Sequence, residues 1–92
     1  MLKENVTEKI INLCLIHQIE ESNSYIRILH NQIKFYQTEI DFLNNNKPLF
    51  FQKKRLEKHN KKIEEYEKKI SNIYIKLEKE INLLGKLYSK LI

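Results

Sequence analysis

The sequence predicts an all-α fold: a long antiparallel helical hairpin, coiled-coil-like, that completes a helix bundle by self-association or with a partner. Three observations carry this. Apolar residues recur at alternating steps of three and four through both halves of the chain. One glycine and one proline are too few for the turns of a sandwich or barrel. The one turn-rich stretch, "NNNKP" at 44–48, lies in the middle.

The first helix is expected from about residue 4 to residue 44. Ile26, Leu29, Ile33, Tyr36, Ile40 and Leu43 form its stripe, which extends back through Ile19 and Leu15 with Ser22 and Asn12 as polar interruptions. The alternative is a break at "ESNS" (21–24), giving a three-helix bundle. Ser22 and Ser24 can cap a helix, but neither has Glu or Gln three residues on, so the capping box is absent.

The turn is expected at 44–48. Asparagines favour turn and capping geometry, and Pro48 suits the first turn of a helix, where its missing N–H has no partner to lose. The second helix should then run from about 48 to 91, each helix being roughly 60 Å long at 1.5 Å per residue. Its stripe passes through Ile63, Tyr66, Ile70, Ile73 and Leu77, slips register, and continues through Ile81, Leu84, Tyr88 and Leu91. With the turn centred near Asn46, residues whose numbers sum to about 93 should face each other across the short connection. Ile10 would lie beside Leu83, and Ile16 beside Leu77. Phe50 and Phe51 should plug the turn end of the seam, and Gly85 should mark a close helix approach.

With 92 residues the chain is a single helical domain (1–92), near the lower size limit for a self-sufficient core. Its 32% charged and 41% hydrophobic residues exclude a membrane protein and a disordered tail alike. No run approaches the roughly 18–20 apolar residues of a membrane span. "IINLCLI" (10–16) is too short, and preceded by too much acid, for a signal peptide. Cys14 is the only cysteine and has no internal disulfide partner. An intracellular, cytoplasmic location is expected.

The two ends of such a hairpin differ in chemistry. At the open end, Ile10, Ile11, Leu13, Cys14 and Ile16 meet Leu83, Leu84, Leu87 and Leu91, more apolar surface than one neighbouring helix covers. This end is the candidate partner interface, for a second copy or another helical protein. Near the turn, Lys53, Lys54, Arg55, Lys58, Lys61 and Lys62 stand against Glu57 alone. They form either a solvated face or a site for an acidic partner, nucleic acid included.

Catalytic constellations are missing, so no enzyme activity, cofactor or metal is expected. Cys14 and His17 share a helix face at i, i+3, but a zinc site needs further ligands at matching spacing. Cys14 reads as an inert core cysteine within its apolar run. His59 falls on the stripe and should fill a polar layer, within a turn of His30 across the hairpin.

The leading function is therefore a non-enzymatic interaction or assembly module, a small subunit or adaptor that docks a helical partner through its apolar open end. The alternative is a basic helical nucleic-acid-binding dimer. "FFQKK" (50–54) and "KKISNIYIKL" (68–77) resemble stretches of the tubulin-binding cofactor A family, a likeness that implies an intracellular chaperone holding a β-tubulin monomer. The chain departs from that family in having no third helix after Leu77. Small flagellar export chaperones are similar to the same degree.

Overall fold

The computed structural model describes residues 2–91, with side chains from Val6 to Leu91. Helix α1 spans Leu2–Asn45 and helix α2 spans Lys53–Ser89. They pack as an antiparallel hairpin of 79 × 16 × 12 Å. Helix α1 runs through 21–24 without a break, which overturns the three-helix alternative. The reason lies in the seam. The Ser22 hydroxyl donates a 2.7 Å hydrogen bond to the Glu80 carboxylate on α2, so it serves the helix pair and caps nothing.

The core is one file of side chains between the helices. Leu29, Ile33, Ile73 and Leu77 are buried, with Ile26, Tyr36 and Ile70 packed half-buried against them. Ile19 and Leu87 continue it toward the open end, and His59 is buried near the turn. Leu29, 2% exposed, is the most enclosed of these. Burying a leucine contributes on the order of 2 kcal/mol, so this narrow file is a modest store of stability.

The expected register slip in α2 does not occur. Glu80, half-buried, occupies the seam position after Leu77, and Leu84, Leu87 and Leu91 follow at steps of four, three and four. Ile81, which the slipped stripe would have placed inside, is half exposed. Two polar residues that look like interruptions in the sequence are partners across one layer.

The loop is longer than expected, and it changes which residues meet. The Asn46 backbone N–H donates to the Phe42 and Leu43 carbonyls, and its side-chain amide donates to Phe42 as well, closing the end of α1. Residues 49–52 then form a separate turn. The Gln52 N–H donates to the Leu49 carbonyl, and the Leu49 N–H donates to the Gln52 side-chain oxygen. Because this turn satisfies its own polar groups, α2 begins at Lys53, and Pro48 lies in the loop instead of the helix.

Facing residues accordingly differ from those expected. Ser22 bonds Glu80, and the Tyr36 ring lies 5.5 Å from that of Tyr66. Partners sum to about 102, nine more than a tight turn would give. His59 therefore sits near the level of Leu43, and His30 is exposed near the level of Asn72, so the two histidines do not meet. Phe50 and Phe51 do not plug the seam. They are 86% and 64% exposed and pack edge to face on each other at 5.6 Å. Gly85 marks no close approach, since a Cβ there would meet nothing within 4 Å.

Candidate interaction surfaces

The shifted register carries the start of α1 past the end of α2. Leu15 falls near the level of Leu87 and Leu13 near that of Ser89, where α2 ends, so residues 6–12 extend beyond the end of α2. Val6, Ile10, Ile11, Leu13 and Ile16 are exposed there, Leu13 most at 65%, and Leu83 is exposed on α2. Cys14 is also exposed, which corrects its expected place in a core. Leu84 and Leu91 are half-buried. Leu87 is buried within the hairpin and drops out of the outward-facing set, because its position continues the seam past Glu80.

At the other end Lys53, Lys54, Arg55, Lys58, Lys61 and Lys62 are all exposed. Three of them, Arg55, Lys58 and Lys62, begin a longer feature. Labelling the seven-residue repeat so that positions a and d form the seam, Lys62, Lys69, Lys76 and Lys90 occupy g, and Lys58, Lys79 and Lys86 occupy the adjacent c. Glu65 is the one acid among those positions of α2. Glu57, Glu64, Glu67 and Glu78 stand on the opposite flank, at b and e. Helix α2 is thus divided lengthwise into a basic and an acidic side.

The same flank of the hairpin carries apolar side chains of α1. In an antiparallel pair the g positions of the two helices lie side by side. Next to that line, α1 exposes Ile28, Phe35 and Phe42 at 52%, 57% and 63%, spaced by seven, with Tyr25 among them. The register brings these residues to about the levels of Lys76, Lys69 and Lys62 respectively. Contacts agree with this placement. The Lys69 ammonium lies 5.4 Å from the Tyr36 ring centre and 5.8 Å from that of Tyr66, and Phe35 packs edge-on against Tyr36 at 5.4 Å. A shallow cleft of 250 Å³ on this flank is lined by Gln32, Tyr36, Lys69, Asn72, Ile73 and Lys76. The cleft on the other flank, 470 Å³, includes Asp41 and Glu67.

The pairing of the two rows is not visible in α2 alone, because it depends on how the two helices align. The seven-residue spacing of Ile28, Phe35 and Phe42, off the main stripe, was the available signal. Among the described residues the one contact between a basic and an acidic side chain is His17 Nε2 with the Glu21 carboxylate, 3.0 Å apart on the exposed side of α1. No group of three or more His, Cys, Asp or Glu gathers among the described residues as a metal site would. No described helix is long and apolar enough to cross a membrane. Comparison with protein-family models, curated proteins and solved structures found no match.

Proposed function

We propose that this chain is a non-enzymatic assembly module that packs its apolar open end against helices of a partner, a second copy of the chain being the simplest. The observation that carries this reading is the apolar stretch of α1 at and beyond the end of α2. Ile10, Ile11, Leu13 and Ile16 point to nearly every side of the helix and are exposed. Exposed apolar side chains gathered at one end of a chain are a common mark of an interaction site. Covering them contributes on the order of 25 cal/mol per Å² of apolar surface, less the cost of association. Two hairpins joined at their open ends would extend the single-file core into four helices.

Analytical ultracentrifugation of the wild-type chain and of Leu13→Glu tests this. The wild type should self-associate in the micromolar range, and the variant should sediment as a monomer with unchanged helix content. Leu13 suits the test because it touches little of the hairpin's own core, whereas Leu87→Glu would open the seam. A wild-type monomer that binds no apolar-surface dye would remove the reading.

A further inference from the structure

We propose that the flank bearing the α2 lysines and the α1 Ile28–Phe35–Phe42 row docks flat on an anionic lipid surface. This reading does not depend on that of the open end. The argument rests on three features of the flank.

The first is charge. Lysines at c and g line one side of α2 from Lys58 to Lys90, a span of about 48 Å at 1.5 Å per residue. Glu21 and Glu39 on α1 and Glu65 on α2 are too few to neutralise them. None of these lysines forms an ion pair among the described residues. An extended row of unpaired ammonium groups is complementary to an extended anionic surface.

The second is the apolar row. Ile28, Phe35 and Phe42 stand more than half exposed beside the lysines, each near the level of one of them. Lipid is the anionic surface that rewards both kinds of side chain. Isoleucine and phenylalanine enter the acyl boundary while lysines reach the headgroups, as they do for interfacial amphipathic helices. A duplex offers phosphates to the lysines but nothing to the apolar row.

The third is shape. The hairpin is 79 Å long and only 16 Å across, and both rows run along its length. A flat surface engages every rung of such a rod, whereas a nucleic-acid duplex curves its phosphates away from it. A docking helix fits less well. Seated in the groove between α1 and α2, it would meet mostly polar side chains (Gln32, Lys69, Asn72 and Lys76, with Tyr36 and Ile73 at the base) and not the apolar row.

Vesicle co-sedimentation of the full chain tests the proposal, with phosphatidylcholine vesicles prepared with and without phosphatidylserine. Binding should require phosphatidylserine and weaken as salt rises. The triple variant Lys62→Gln, Lys69→Gln, Lys76→Gln should bind on the order of 100-fold more weakly. The variant Ile28→Ser, Phe35→Ser, Phe42→Ser should also lose binding, at least tenfold, while circular dichroism shows the hairpin intact. Glu57→Gln, Glu64→Gln, Glu78→Gln, on the opposite flank, should bind as well as wild type. The proposal fails if vesicles are not bound, if phosphatidylserine makes no difference, or if the serine variant binds normally. It fails equally if duplex DNA or single-stranded RNA outcompetes the vesicles and only the lysines matter, since the flank would then serve nucleic acid.

Discussion

At His59 the hairpin encloses an imidazole whose Nε2 has no hydrogen-bond partner among the described residues, at a seam position otherwise suited to leucine. A buried polar atom left unsatisfied costs about 1–3 kcal/mol. His59→Leu should therefore stabilise the chain by about 1–2 kcal/mol. For a domain of this size the thermal midpoint should rise by about 4–8 °C per kcal/mol. A midpoint that falls would mean that the imidazole makes a contact worth more than its burial costs. Ser22 and Glu80 are the opposite case, a polar layer satisfied at 2.7 Å. A double-mutant cycle with Ser22→Ala and Glu80→Ala should give a coupling of about 1 kcal/mol by denaturant melting. Additive losses would show the bond contributes nothing. Replacing both by leucine should raise stability, and the freed seam should then tolerate other registers, since polar layers fix alignment at a cost in stability.

At the scale of the elements, both helices were legible in the sequence because the three-four stripe is a direct image of the seam. Their limits were not. Pro48 carries a valid helix-start signal, yet the turn closed between Leu49 and Gln52 satisfies its own hydrogen bonds and delays α2 to Lys53. A propensity argument weighs one position at a time and does not see a competing turn. The apparent slip after Leu77 had a related cause, because a stripe read by hydrophobicity alone skips Glu80 and takes Ile81. Two predictions belong here. Gly85→Ala should stabilise α2 by about 1 kcal/mol, the cost of a helical glycine, because a Cβ meets only open space. A destabilised variant in thermal melting would show that Gly85 is packed against something. Changing Lys54, Lys58, Lys61 and Lys62 together to Gln should leave the melting midpoint nearly unchanged, since these side chains are exposed and make no ion pair among the described residues. A shift of more than about 5 °C would mean that they hold the hairpin together.

For the whole molecule, one quantity organises the rest: the register in which the helices meet. Alignment at a sum of about 102 leaves residues 6–12 of α1 beyond α2, buries Leu87, and sets Lys62, Lys69 and Lys76 level with Phe42, Phe35 and Ile28. The tight-turn alignment would cover that end of α1 and displace the two rows by more than a helical turn. The open end was legible from composition, since an apolar excess needs no register to be noticed. Which leucines face outward was not, and neither was the mixed face, because both depend on how two distant segments align. Disulfide trapping in a Cys14→Ser background measures that alignment most directly. The pair Ser22→Cys, Glu80→Cys replaces side chains that already touch, and mild oxidation should close it within one chain, as read by mobility without reductant. The pair Ser22→Cys, Ser71→Cys, which the tight-turn alignment would bring together, should stay reduced. Ready closure of the second pair with the first left open would contradict the register, and with it the overhang and the paired rows.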